Sequence, residues 1–415
     1  MSAGTLEGEL QSLDARALER SFARQYYIDS LRVLAVLLLF PFHTLRVYNA
    51  GELWYVKAAR LSTAVAYLLD FISAWHMQLL FLLAGASTCL ALRKRSNRQY
   101  VGERFLRLGV PVVFGVLVLV PPQCYYGARS NAGYTGSYWD YLSSGDFFRF
   151  SSEAHSDYLG YFGLGQLWFI LLLLVLSLIA LPLFAWGRGR RGGAFLQGFS
   201  CRLARPVWWL LPAFLIFVGD ALPDPTGEGV WSYLVFFVLG YLVVRDEAFI
   251  RSAERFRLPA LTLGLALSAW WSLTQSFRDS LPDPSPQLAA IVYLGMMGSW
   301  LMMVGLLGYG KRHLNRPSSA LAYLAEGSYP VYVLHQTVIV VLAFYLVGWA
   351  VWEPLQWVAL LALSVLGTFA LYEVVRRWSV TRFLFGMRRK RRRPGEVDKT
   401  GPAGAVPPKQ TTAAR

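Results

Sequence analysis

Arg32 and His43 stand eleven positions apart in the apolar stretch YYIDSLRVLAVLLLFPFHTLRVY, which runs from Tyr26 to Tyr48. An ionisable side chain inside a bilayer costs a few kcal/mol, so it normally faces a polar cavity or a partner. At about 100° per residue, eleven steps return a helix to within about 20° of its starting direction and advance it by roughly 16 Å. The two residues therefore share a face at two depths. Asp29, three residues before Arg32, falls close to that face and can pair with it. A cation at one end and an imidazole at the other suit a long substrate with phosphates at one end and a reactive group at the other, which is the shape of an acyl-CoA. The neutral imidazole then serves as general base for a hydroxyl that attacks the thioester. Pro41 removes the backbone donor that would meet the Leu37 carbonyl, freeing polar backbone near His43. Taken singly, Arg32 could snorkel from the span end and His43 could be an interfacial histidine. Their alignment favours the pair.

The elements that must hold these residues follow from composition. Of 415 residues, 55% are hydrophobic and only 16% charged, against about a quarter charged in soluble chains. The predicted class is all-α, a polytopic integral membrane protein. Each span needs roughly 20 apolar residues, and the runs fall near 28–47, 64–92, 108–122, 164–186, 207–222, 229–244, 259–276, 288–309, 328–348 and 355–375. The third, fifth and sixth are short enough to be broken or tilted. The net charge of +15 does not imply nucleic acid, because the basic residues cluster between apolar runs. They occupy every second loop: Arg16 to Arg24, Arg93 to Arg107, Arg188 to Arg205, Arg245 to Arg257, Lys311 to Arg316 and Arg388 to Arg393. The alternate loops carry mostly acids, such as Asp220, Asp224, Glu228, Asp279, Asp283 and Glu353. That alternation predicts about ten transmembrane helices with both termini cytoplasmic.

Residues 1–25 then form a cytoplasmic N-terminal segment, 26–378 the transmembrane domain, and 379–415 a basic, then disordered tail. The polar residues ahead of the first run argue against a cleaved signal and for an uncleaved anchor. Cys89, Cys124 and Cys201 lack metal-ligand spacing, so neither a disulfide framework nor a metal site is expected. The outward loop from Tyr125 to Gly163 is rich in aromatics, fitting either a sugar-stacking surface or an interfacial belt.

Further candidates lie on other spans. ERFLRLGVP places Arg104 and Arg107 three apart at a cytoplasmic helix entrance, where near neighbours on one face can grip phosphate; basic residues there are also what topology alone requires. His335 sits well inside the ninth span, where it could line a donor tunnel or hydrogen-bond a neighbouring helix. Glu373 could pair with Arg104 or Arg107, or with Arg376 and Arg377 one turn on.

These pieces together resemble the membrane-bound acyltransferase-3 family, and within it most resemble the members that succinylate periplasmic glucans. The matching stretches are YYIDSLRVLAVLLLFPFH, DFISAWHMQLLFLLAG, ERFLRLGVP, LWFILLLL, SYPVYVLHQ and LYEVVRRWSVTRFLFG. Arg, ten residues, His, followed by Arg-x-x-Arg, is the family's signature, whereas 187–320 matches only in hydropathy. The resemblance implies that Arg32, Arg104 and Arg107 handle a CoA donor and that His43 is catalytic. Asp70 matches the glucan-modifying pattern, and such an outer-leaflet group could orient the imidazole. His76 replaces a more usual arginine, Gln166 a frequent histidine, and AGAS at Ala84 to Ser87 a common Ser-Gly.

The expectation is an acyl-CoA-dependent O-acyltransferase of the inner membrane. It would move an acetyl or succinyl group from the cytoplasm to a hydroxyl of an extracytoplasmic glycan or glycolipid, with membrane lipids around it. No metal or permanently bound cofactor is called for; acyl-CoA is the donor substrate. Direct attack and an acyl-histidine intermediate both satisfy the arrangement. The alternatives are a transporter or flippase of a lipid-linked or anionic substrate, for which paired broken helices would be expected, and a scaffold, which would not need Arg32 and His43 aligned.

Overall fold

A computed structural model describes residues 25–388 apart from 152–155, 225–226 and 228. The expected N-terminal cytoplasmic segment, Glu228 and the basic tail beyond Arg388 lie outside the described residues. Among those described the chain is all helical, with one isolated bridge between Asn49 and Ser62.

The first apolar run forms α1 (Tyr26–Arg46), which continues through Pro41. The second is broken at Ala74 and Trp75 into α2 (Thr63–Ser73) and α3 (His76–Leu92). The third belongs to a longer rod: α4 (Asn97–Arg104), a π-helical segment Phe105–Gly109, α5 (Val110–Val118) and α6 (Val120–Asn131). Beyond it come α7 (Trp168–Ile179), α8 (Arg190–Leu203) and α9 (Leu210–Asp220). The last part of the bundle is α10 (Val230–Val243), α11 (Arg257–Leu273), α12 (Pro286–His313), α13 (Ser319–Leu346), α14 (Glu353–Val375) and the short α15 (Ser379–Leu384).

Six of the described helical rods are long and apolar enough to cross a membrane. The count becomes seven if α8 and the helical stretch Pro206–Asp220, bent at 108°, form one span. The other expected runs fall on shorter helices, Gly165–Ile179, Val230–Val243 and Arg257–Leu273. Of the three runs expected to be short, the fifth lies on the bent pair, the sixth on the 14-residue α10 and the third within a rod of 35 residues.

Val113, Leu117, Leu355 and Leu366 are more than half exposed on the outer surfaces of α5 and α14. Such apolar side chains facing outward are ordinary where the solvent is lipid. Helix association in lipid then depends on close packing, and Gly85 and Gly240 supply it for α3 and α10. A Cβ at Gly85 would run into the Phe237 carbonyl, and one at Gly240 into that of Leu82. Both glycines are needed for the backbones to touch. α1 occupies the hub, packed against α2, α3, α12, α13 and α14.

Candidate active site

The first-span residues sort by depth. Near the N-terminal end of α1, Arg32 Nη1 pairs with Asp29 Oδ1 at 3.1 Å, as their spacing predicts, and Nη2 donates to Ser87 Oγ at 2.5 Å. Arg104 donates to Thr88 Oγ1 at 2.6 Å and lies over the Tyr100 ring at 4.9 Å. Two arginines from different helices are therefore held by consecutive residues of α3, whose position the Gly85 crossing sets two residues earlier.

Arg107 lies in the π-helical segment Phe105–Gly109. Among the described residues no hydrogen bond gives Arg104 and Arg107 a common partner, although both charges act on the buried Tyr329 hydroxyl. Arg107 instead lines a cavity of about 540 Å³ together with Arg95, Glu103, Phe383, Met387 and Arg388. Arg95 pairs with Glu103 at 2.8 Å. The far wall is the turn after α15, which Gly386 makes with φ +61°, its Cα facing the Arg107 carbonyl so closely that a side chain there would collide. Arg382, buried, ties this wall to α13 by donating to Glu326 at 2.8 Å and to the Arg388 carbonyl at 2.6 Å.

At the other end of α1, His43 meets a different set of groups. Its ring lies 5.1 Å from that of His335 on α13, 5.2 Å from Phe42 and 6.2 Å from Trp54, nearly parallel to the indole. His43 Nδ1 is buried without a hydrogen-bond partner. His335 is buried, with Nδ1 2.6 Å from the Tyr332 carbonyl oxygen. His76 Nε2 lies 2.7 Å from the Ala35 carbonyl, joining the start of α3 to the middle of α1.

Trp54 escapes sequence reasoning, although it follows His43 by only eleven residues in GELWYVK. The loop 47–62 folds back to bring it there. Lys57 Nζ donates to the carbonyls of Arg46 at 3.2 Å, Glu52 at 2.8 Å and Asn49. Asn131 Nδ2 donates to the Trp54 carbonyl at 3.0 Å and that of Tyr158 at 2.9 Å. Tyr55 donates to Asp157. Burial, with the nearby Arg46 charge, pushes the Lys57 ammonium down to about 8 against the partial offset of Glu52.

Asp70 is turned to Arg278, whose guanidinium is 3.8 Å away and lies 3.5 Å over the Trp271 ring. Among the described residues the ring neighbours of His43 are Phe42, Trp54 and His335. Glu373 accepts from Tyr323 at 2.8 Å and pairs with Arg376 at 3.0 Å, the local alternative among its possible partners. Gln166 enters a buried amide cluster: Gln123 Nε2 donates to Gln166 Oε1 at 2.9 Å, Gln336 Nε2 to Gln123 Oε1 at 2.9 Å, and Gln166 Nε2 to the Val333 carbonyl at 2.7 Å.

The structure sets Arg32 near one end of α1 and a buried imidazole pair near the other. Comparison with known proteins agrees in extent and kind. Glucans biosynthesis protein C of Salmonella paratyphi A (strain ATCC 9150 / SARB42) is 25% identical over 385 residues, covering 87% of this chain and 94% of the relative. The proteins of the same name from Salmonella agona (strain SL483) and Salmonella heidelberg (strain SL476) are also 25% identical, over 385 and 387 residues, with the same coverage of both chains. No solved structure matches. The acyltransferase-3 family, described as an acyltransferase domain, matches residues 25–373. Since that match takes in α1 through most of α14, with Arg32, His43, Arg104, Arg107 and His335 inside it, the chain belongs to the acyltransferase-3 family and is a multi-pass membrane acyltransferase.

Proposed function

We propose that this chain moves an acetyl or succinyl group from acyl-CoA in the cytoplasm to a hydroxyl of a glycan on the outer side of the inner membrane, with His43 as general base. The bundle would cross the membrane ten times with both termini cytoplasmic, so that the cavity of Arg95, Arg107 and Arg388 opens to the donor. Phosphates of the donor would meet that cavity, and Arg32 and Arg104, seated on Ser87 and Thr88, would guide the chain of the donor inward. The acceptor hydroxyl would give its proton to His43 as its oxygen attacks the thioester carbon; the C–S bond breaks, and the proton passes on to the departing thiolate. The relatives' name, glucans biosynthesis protein C, supports a glucan-like acceptor.

The observation that carries this reading is the pairing of an acyltransferase-domain match over 25–373 with a buried, unpartnered His43 nitrogen at the opposite end of α1 from Arg32. The test is transfer of label from acetyl-CoA or succinyl-CoA by the purified full chain to an oligosaccharide acceptor. His43→Ala should lower kcat by about 10²- to 10⁴-fold, the range of a lost general base. Arg32→Ala should mainly raise KM for the donor. Transfer at the wild-type rate by folded His43→Ala protein would end the assignment.

A further inference from the structure

His43 and His335 come from helices separated by nearly three hundred positions in the sequence, yet their rings are neighbours, and each has a buried nitrogen without a hydrogen-bond partner. For His335 the tautomer follows from its contact. Nδ1 lies 2.6 Å from the Tyr332 carbonyl oxygen, and a carbonyl only accepts, so Nδ1 carries the hydrogen. In the neutral ring Nε2 then holds the lone pair. That Nε2 is buried and unpartnered, as is Nδ1 of His43. The ring centroids are 5.1 Å apart with planes at 49°, a separation that a ring rotation converts into a direct hydrogen bond or that one water bridges.

Aromatic rings enclose the pair, and Arg46 and His76 are the other charged or titratable groups near His43. Phe40 lies edge-on to His335 at 6.0 Å, Phe42 edge-on to His43, and the buried Trp54 ring parallel to His43. None of these offers an acceptor to His43 Nδ1. Leaving a buried polar group unmade costs about 1–3 kcal/mol, so the two orphans are worth more to one another than apart. His335 is also held firmly. Tyr332 donates to the Gln166 carbonyl, and Gln166 Nε2 donates to the Val333 carbonyl at 2.7 Å, which fixes the turn of α13 that supplies the Tyr332 oxygen.

We propose that His335 is the positioning residue for His43. Its Nε2 accepts the Nδ1 hydrogen of His43, directly or through one water, and so holds His43 in the tautomer whose Nε2 lone pair faces the acceptor hydroxyl. This rests on the acyl-transfer reading above. In the transfer step the acceptor proton moves to His43 Nε2, the new C–O bond forms, and the C–S bond breaks. The same proton then leaves for the CoA sulfur, while the Nδ1 hydrogen stays on His43 and spreads the transient positive charge toward the second imidazole.

The test uses the full chain in lipid nanodiscs with ¹⁵N-histidine, the His43 signal being assigned by its loss in His43→Ala. In wild type His43 should carry its hydrogen on Nδ1. His335→Phe keeps the ring volume but removes the acceptor, and should shift His43 toward the Nε2–H tautomer. The same variant should lower kcat by about 10²-fold, the low end for general-base assistance, with KM for the acyl-CoA unchanged. His335→Gln restores an acceptor oxygen and should recover both the tautomer and most of kcat. A wild-type His43 protonated on Nε2, or a His335→Phe protein that keeps the Nδ1–H form, overturns the proposal. Absence of transfer by wild type from either donor would sink the acyl-CoA reading instead, and the tautomer measurement would still decide the role of His335, even if His335→Phe failed to fold.

Discussion

At the scale of single residues, the sequence announces charged and aromatic types but not their partners. Asp29 with Arg32 was legible because both lie on one turn of one helix. Ser87 was not, since its contact with Arg32 exists only once α3 lies against α1. The same holds for His335, which sequence reasoning could place inside a span without naming the imidazole it would meet. Lys57 illustrates a residue whose type gave no warning at all. Three backbone carbonyls gather on its ammonium, and burial lowers its pKa to about 8 from an ordinary 10.5. Between these two values the unfolded chain binds a proton that the folded chain has released, so stability rises with pH across this window. Thermal unfolding in detergent at pH 7.5 and 9.5 should therefore show a gain in Tm for wild type that is smaller in Lys57→Met. Equal gains in the two proteins would mean that Lys57 titrates alike folded and unfolded.

At the scale of elements, the apolar runs marked where helices would form, and every expected run falls on one. What hydropathy could not supply was their continuity. The break at Ala74 and Trp75 inside the second run, and the π-helical segment that carries Arg107, depend on neighbouring helices and not on local composition. Nor does a glycine in the sequence say which helix it lets approach. The crossing of α3 and α10 makes that specific. Gly85→Val or Gly240→Val should destabilise the protein by about 1–3 kcal/mol, the usual cost of overpacking, and should loosen the seats of Arg32 and Arg104 on Ser87 and Thr88. Gly102 on α4 is the control, because a Cβ there meets nothing within 4 Å. Gly102→Ala should stabilise by roughly 0.5–1 kcal/mol through helix propensity. Melting curves of the three proteins in one detergent check the contrast.

At the scale of the whole molecule, loop charge predicts which ends of the bundle share a compartment, a property that a bundle's internal contacts do not report. If the ten-crossing topology holds, a cysteine at Arg98 or Arg316 will react with a membrane-impermeant maleimide only after the cytoplasmic face is opened. One at Ser143 or Ser280 will react in intact cells. The exposed Cys201 would be replaced by serine first. Reaction of Arg98→Cys in intact cells would reverse the orientation and put the cavity of Arg95, Arg107 and Arg388 on the wrong side for a cytoplasmic donor.

The central place of α1 has a consequence for how the protein is made. Synthesis delivers this helix well before three of the five helices that pack against it, α12, α13 and α14. Until they arrive, an arginine and a histidine must wait beside lipid or borrow temporary company, a costly position for ionisable groups. Nascent chains halted before Ser319 should accordingly be bound by membrane chaperones and cleared by quality-control proteases, whereas chains extending past Val375 should escape both.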